Sequence, residues 1–514
     1  MRCKPARRGT WATTQARMTV STSEARPYDL AVVGAGVAGL NALAVASQYL
    51  TKDHRVLIID RRSRAGGMWV DTYPYVRLHQ PHPFFTAADI KWTLDADRGH
   101  LATKNEVLDH FSHCVDVVRG RVGLDEWLGT ELLSHEAGEE AVRLTCRSAD
   151  GTPRFAEAKR LIKAPGLAVE PNQPLAVSSE RVHSVSPDFC DVRTGEITES
   201  SAPVWVIGGG KTAMDTAHAL IKACPDREVN ILAGSGTFFT CRDKAFPAGA
   251  KRWWGGTPGG STLLGLARRF DGANESEALD WYQATVGITP TDGARNFVFG
   301  LLSEEEARAI RSGVTEMVSD HLVDAVDRPG HVELMLRSGA TRQIESGSWL
   351  VNCTGYIFGE QAQQPAYEPY MSAGGNVGVI SNRNSISLLP SFGGYYLGHL
   401  MMLGQLSKLP LYELDGNELA EQSREAWACA AVTAHLYNLS LIADNTPREV
   451  LTKNGLNFEL WYPPHRWLVG AVRFARASRR EREHWRMALD RVQERFDVRC
   501  GPIVGKVPSA DHVL

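Results

Sequence analysis

Two glycine-rich turns stand 174 positions apart, Gly34-x-Gly36-x-x-Gly39 and Gly208-x-Gly210-x-x-Ala213. Each follows an apolar, β-branched run, Leu30 to Val33 and Val204 to Ile207, and each opens a stretch rich in small residues. Strand, glycine turn and helix in that order cradle a pyrophosphate. The first glycine permits the tight turn, the second lets backbone approach the phosphates, and the small third residue lets helix and strand close up. The helix N-terminus adds free N–H groups and the positive end of a dipole. After the first turn, the apolar run Arg55 to Ile59 ends in Asp60, 21 residues beyond Gly39. Asp60 is placed to accept hydrogen bonds from ribose hydroxyls, with Arg61 beside it as a further cofactor contact. After the second turn, no Asp or Glu lies between Val229 and Arg242. Ser235, Arg242 and Lys244 are available there to a ribose 2′-phosphate, with Lys211 and Thr212 at the helix start. The pattern G-x-x-x-x-G-K-[ST] is absent, so Lys211-Thr212 is not an ATP-binding P-loop.

A second glycine pair, Gly66-Gly67-x-Trp69, follows Asp60 and lets backbone lie along a longer cofactor than NAD. Val70 to Phe85 is dense in Pro, His and aromatics and lacks helical periodicity, so it reads as an ordered loop beside that cofactor. Late in the chain come Leu350 to Gly355, including Cys353-Thr354-Gly355, followed by Tyr356.

These motifs, with Tyr75 to Pro81, resemble the flavin-containing monooxygenases, the class B flavoprotein monooxygenases. The resemblance covers residues 28 to 410. It implies FAD on the first turn and NADPH on the second, with Gly66, Gly67, Trp69, Thr354 and Gly355 as further cofactor-binding positions. Gln80 falls where the family carries an Asn beside the reactive face of the flavin, and His79 and Arg77 join it as candidate catalytic residues. Ala164-Pro165-Gly166 resembles the A-T-G turn leaving the FAD domain. Of the Baeyer–Villiger fingerprint only His183 matches, which reads as a structural linker histidine. The implied reaction is reduction of FAD by NADPH, then insertion of one oxygen atom from O2 into a small organic substrate at N, S or C through a flavin hydroperoxide. Two other readings stay open: an FAD-dependent oxidase or dehydrogenase that uses no NADPH, and a non-enzymatic FAD-stabilised scaffold.

The elements that must position these residues define an α/β fold with two dinucleotide-binding, Rossmann-like domains, the FAD domain split by an inserted NADPH domain. The expected organisation begins with an extension without fixed structure over 1–26. The FAD domain then occupies 27–170 and resumes over 349–410, with the NADPH domain between them over 171–348 and a helical region over 411–514. Asn105 to Arg119 reads as an amphipathic helix, and Asp150-Gly151 as a hairpin turn. The Gly- and Trp-rich stretch 246–299 reads either as a mobile lid or as a subunit contact or satellite core. Ser387 to Leu400 starts a helix whose N-terminus faces the flavin in this architecture. Trp485, Leu489, Val492 and Phe496 mark one face of another, and Arg479 to Arg486 a solvated face.

At 514 residues the chain needs two or three lobes. A net charge of −3 argues against general nucleic-acid binding. The nine cysteines show neither C-x-x-C nor metal-like spacing, so no metal site is expected. Disulfide reductases of related architecture need a redox cysteine pair that is missing here, and Cys353 reads as a small packing residue. Ala428 to Ala443 reads as a buried helix, so no stable membrane insertion is expected. The first 23 residues carry five basic side chains and no acid, compatible with a transit peptide but read as an extension, with Met18 an alternative start. The cytoplasm is the expected compartment, and the oligomeric state is open, a homodimer included.

Overall fold

The computed structural model describes residues 26–166, 170–355 and 366–503. The expected extension and Tyr356 lie outside these residues, apart from Arg26. Two five-stranded parallel sheets organise the rest. The first runs Val377–Ser381, Leu161–Gly166, Leu30–Val33, Arg55–Asp60, Gly123–Leu128. Leu30, Ala31, Val32, Leu57, Ile58 and Ile59 are buried irrespective of which face they point to, as parallel strands covered on both faces require. Val33 pairs with Ile59, so the Gly34 turn and Asp60 emerge at the same end of the sheet.

The second sheet runs Glu316–Val318, Val229–Leu232, Val204–Ile207, Trp349–Asn352, His183–Val185. It repeats the plan of the first, with the glycine-turn strand central, the next strand on one side and a later strand on the other. This moves one expected boundary. Trp349–Asn352 pairs in parallel with Val204–Ile207, Trp349 opposite Val204, and so belongs to the second nucleotide unit. The central strand needs a partner on its second edge, and this buried run supplies it. The chain rejoins the first sheet only at Val377.

Helix Val37–Ala46 packs beside Pro390–Met402. Gly394 lies against Ala38, and Gly398 against Ala42 and Val45. Contacts that advance together along both helices mean that the helices run parallel, with both N-termini at the same end.

The stretch 246–299 is not a free lid. Its helices Gly259–Arg269 and Glu275–Val286 bury Leu264, Leu266, Phe270, Leu279 and Tyr282 in one core. The same core takes Ala428 and Val432 of Arg424–Asn445, and Trp485 and Leu489 of Arg482–Phe496. Arg424–Asn445 is long and apolar enough to cross a bilayer, but its side chains are mostly inside the protein. The expected helix near 105–119 spans Lys104–Arg121, started by a Thr103/Glu106 capping box. Val142–Ser148 and Pro153–Ala158 form the expected hairpin.

Candidate cofactor and active site

One cavity of about 1400 Å³ reaches both glycine turns. Single-ligand pockets enclose roughly 300–1,000 Å³, so this one has room for more than one ligand. Gly34, Gly36, Asp60, Arg61, Gly66, Gly67 and Trp69 line it. So do Gly208, Gly210, Lys211, Thr212 and Ser235, together with Arg77, His79 and Gln80.

The two turns are built alike. Gly34 has φ +103° and Gly208 φ +138°, which an L side chain rarely adopts. In both, a carbonyl of the flanking strand occupies the place of a side chain: that of Ala164 at Gly34 and that of Cys353, 2.6 Å from a Cβ, at Gly208. Gly36 and Gly210 immediately precede the helices Val37–Ala46 and Lys211–Ala223, whose first N–H groups are free of intrahelical partners. Ala213 is fully buried where helix meets strand.

The turns differ in what covers them. A Cβ at Gly210 would meet nothing within 4 Å, so that helix end is open. Gly36 rests on Gly67, and a Cβ added at Gly67 would fall 2.7 Å from the Gly36 Cα. The Gly66 N–H donates to the Ala35 carbonyl at 2.9 Å. The glycine pair therefore lays a second layer of backbone on the first turn. Asp60 ties this together. It is buried, and its carboxylate accepts the Ala35 N–H at 2.6 Å and the Arg62 N–H at 2.8 Å. A carboxylate offers about four acceptor positions, so capacity is left for a ribose. Arg61 is paired with Glu170, and Trp69 lies against Phe85 with ring centroids 5.6 Å apart.

The loop after Trp69 spans the two nucleotide units. Tyr73 donates to Asp215 at 3.0 Å, and the Tyr75 and Thr216 hydroxyls share a hydrogen bond of 2.8 Å, both on the second helix. His79 Nδ1 accepts the Leu301 N–H at 3.1 Å, which leaves the ring proton on Nε2. Burial lowers His79 to about 3, and Lys211 and Arg242 nearby act in the same direction against Glu306. Burial would raise the Glu306 carboxyl, but Lys211, Arg242 and the Ser303 N–H and hydroxyl outweigh it and hold it at about 2. Gln80 is 7% exposed and its Oε1 has no partner. A buried acceptor left open on a cavity wall fits a ligand N–H or O–H. Arg77 lines the cavity as an exposed side chain.

Two expected contacts lie elsewhere. Arg242 does not line the cavity. The part-buried Glu306 carboxylate holds it at 2.7 Å, and its other amine donates to the His79 carbonyl at 3.4 Å. Lys244 donates to the Thr285 carbonyl at 3.2 Å, and Lys211 pairs with Asp215 one turn on. The basic side chains beside Ser235 on the cavity wall are Arg337, which is a cation, and His321, whose imidazole is held below its ordinary range by burial and the neighbouring Arg337. Ser235 Oγ lies 3.2 Å from His321 Nε2, the Arg337 N–H donates to the His321 carbonyl at 2.9 Å, and the Arg337 side chain is exposed. They flank a hairpin, Leu322–Arg328 with His331–Leu336, far along the chain from Ser235, and no local pattern marks them.

Thr354 and Gly355 line the cavity that both turns share. They follow Cys353, whose carbonyl abuts Gly208, because the strand that leads to them lies in the second sheet. The Thr354 N–H and hydroxyl donate to Asn352 at 3.1 and 2.7 Å, and its carbonyl accepts from Asn172. The equivalent turn on the first unit is Ala164-Pro165-Gly166. Cys353 is buried, its thiol pushed up to about 12 by burial, and its Sγ lies 3.4 Å from Thr216. His183 stacks on Trp349 with centroids 4.7 Å apart. Another stretch of the wall is aromatic. Phe84 and Phe246 stack at 5.9 Å, Phe246 and Phe458 meet at 5.6 Å, and Phe392 and Leu263 join them.

Residues 28–251 match the model of the pyridine nucleotide-disulphide oxidoreductase family. Its name includes disulfide chemistry, but the eight described cysteines are free thiols, and Cys353 alone among them lines the cavity. The resemblance to flavin monooxygenases has a counterpart among curated relatives. The FAD-dependent monooxygenase resA of Aspergillus sclerotiorum is 28% identical over 222 residues, 41% of this chain and 38% of its own. An uncharacterized protein of Mycobacterium tuberculosis is 28% identical over 233 residues, 41% of this chain and 39% of its own. The chain thus spans about two fifths of the length of these relatives. Among solved structures, an open form of cyclohexanone monooxygenase is 13% identical with a TM-score of 0.47, over 82% of this chain and 98% of that one. An ornithine N-hydroxylase from Kutzneria sp. 744 is 16% identical with a TM-score of 0.44, over 79% and 99%.

Proposed function

We propose that this domain holds FAD on the Gly34 turn and NADPH on the Gly208 turn, and that the protein is a monooxygenase placing one oxygen atom of O2 on a small organic substrate. The observation that carries the reading is the single cavity that both turns and the His79-Gln80 pair share. The residues fit the cofactors: two helix N-termini for pyrophosphates, Asp60 for a ribose, and Ser235 with His321 and Arg337 for a 2′-phosphate. Bound FAD would take two electrons from NADPH and pass them to O2.

The chain's own residues bind, orient and exclude water. Gly36 and Gly210 bring backbone N–H groups to the phosphates. Gln80 offers an unpartnered carbonyl oxygen in the cavity. His79 stays neutral near physiological pH, its Nδ1 occupied by Leu301, and so positions the Gln80 segment without carrying charge into the site. Phe84, Phe246, Phe392 and Phe458 keep water from one wall and offer apolar surface to a substrate.

The test is FAD content, followed by NADPH oxidation and O2 uptake with candidate substrates. Expected are copurifying FAD, bleaching by NADPH without air, and oxygenated product at one NADPH each. Bleaching by substrate but not by NADPH would replace this reading with the oxidase or dehydrogenase one. Gln80→Leu should retain FAD and its reduction while losing product, with Gln80→Asn intermediate.

A further inference from the structure

Helix Pro464–Arg480 lies on the outside of the molecule. Of its side chains only Ala477 and Ser478 are buried. At 100° per residue, Leu468, Val469 and Val472 fall on the opposite, outward face, at 55%, 48% and 44% exposure. Beside the N-terminal end of the helix stand Trp253 and Trp254, 50% and 76% exposed, with the Trp253 ring stacked on His465 at 5.8 Å. Arg466 fixes the two pieces together. Its guanidinium donates to the carbonyls of Arg252 at 3.1 Å and Gly256 at 3.3 Å, and also to that of Gly255. Five of the thirteen exposed large apolar side chains among the described residues thus gather on one patch. Contiguous apolar surface on a folded chain marks a place of interaction.

The charge around the patch has one sign. Pro464–Arg480 contains five arginines and no acid, in a chain of net charge −3. Arg473, Arg476, Arg479 and Arg480 are exposed and make no ion pair with described residues. Their neighbours on the next helix behave differently: Arg482 pairs with Asp444, and Arg486 with Glu483 and Asp490. Unpaired arginines beside exposed Trp, Leu and Val form an amphipathic surface that settles at the headgroup boundary of a bilayer, the rings and aliphatic chains entering and the guanidinium groups meeting anionic lipid.

We propose that the outward face of Pro464–Arg480, with Trp253 and Trp254, docks on an anionic lipid bilayer. The docking is peripheral; the helix lies in the surface and crosses nothing. Three residues beyond Trp254 the chain reaches Thr257, on the cavity wall, so the docked face adjoins the cavity.

The experiment is co-sedimentation of the full chain, with its cofactor content recorded, against vesicles of phosphatidylcholine alone and of phosphatidylcholine with phosphatidylglycerol. Binding is expected to the anionic vesicles, to weaken with salt, and to be slight on the neutral ones. Each arginine near an anionic surface is worth about fivefold in partition, so Arg473→Gln with Arg476→Gln should lower it about 25-fold. Trp254→Ser and Val472→Ser should lower it with charge unchanged. All these positions are exposed, and unchanged circular dichroism and FAD content show that each variant is folded. Failure of the wild type to sediment with anionic vesicles at low salt overturns the proposal. So does a dimer in solution that Leu468→Ser dissociates while vesicle binding is absent, because the face would then belong to a second copy.

Discussion

Replacing Glu306 by Gln isolates one charge at the junction of the two nucleotide units. The carboxylate accepts from the Ser303 N–H at 2.8 Å, the Ser303 hydroxyl at 3.0 Å and Arg242 at 2.7 Å. Gln also serves at the N3 position of a capping box, so helix Glu304–Gly313 keeps its start, and the loss is the charge facing Lys211 and Arg242. A carboxyl held at about 2 instead of 4.5 corresponds to about 3 kcal/mol of stabilisation, at 1.36 kcal/mol for each pH unit. The sign follows from the depressed value. The contribution is complete above the ordinary pKa of 4.5 and disappears as pH falls through about 2. Urea unfolding of wild type and Glu306→Gln, followed by tryptophan fluorescence, should show a deficit of about 3 kcal/mol near neutrality that narrows steadily in acid. A deficit below about 0.5 kcal/mol near neutrality, or one equally large at every pH, would refute the reasoning. Arg242→Met should cost much less in the Glu306→Gln background than alone, as coupled partners do.

Other outcomes follow from the same geometry. Gly208→Ala forces a Cβ to 2.6 Å from the Cys353 carbonyl; it should weaken NADPH binding at least tenfold while FAD content stays at the wild-type level, checked by titration and flavin absorbance. Arg337→Ala should lower the preference for NADPH over NADH about tenfold, the low end for a charge-assisted bond because the side chain is exposed, whereas Arg242→Ala should leave that preference alone; the ratio of the two kcat/KM values decides. Cys353→Ala should keep activity within about twofold, since the thiol is buried and protonated; a loss beyond tenfold would restore a chemical role for it.

The features legible in the sequence were those encoded locally. Gly34 to Gly39, Asp60, Gly66-Gly67 and Gly208 to Ala213 each announce a backbone geometry through residue type and spacing, and the chain has that geometry at each. What escaped was set by partners distant in sequence. Trp349–Asn352 reads as an apolar strand, but only pairing with Val204–Ile207 says whose sheet it joins. Arg242 has the composition of a phosphate contact, yet Glu306, 64 residues later, claims its guanidinium. His321 and Arg337 reach Ser235 because a hairpin folds back there, which no periodicity near Ser235 records. The stretch 246–299 reads equally as a lid or as a subunit contact or satellite core, and only its packing against the C-terminal helices decides for the core.

The bolting of Tyr73 and Tyr75 onto Asp215 and Thr216 bears on how the two nucleotides communicate. The loop that carries these tyrosines begins at Gly66-Gly67, against the first turn, and ends on the helix that the second turn starts. Anything that steadies one end of this loop reduces the entropy left to lose at the other. Occupancy of the first turn should therefore raise affinity at the second, and thermodynamic reciprocity requires the second to return the favour by the same factor. Tyr73→Phe with Tyr75→Phe would cut that linkage while leaving both phosphate cradles in place, so that the two nucleotides bind as strangers.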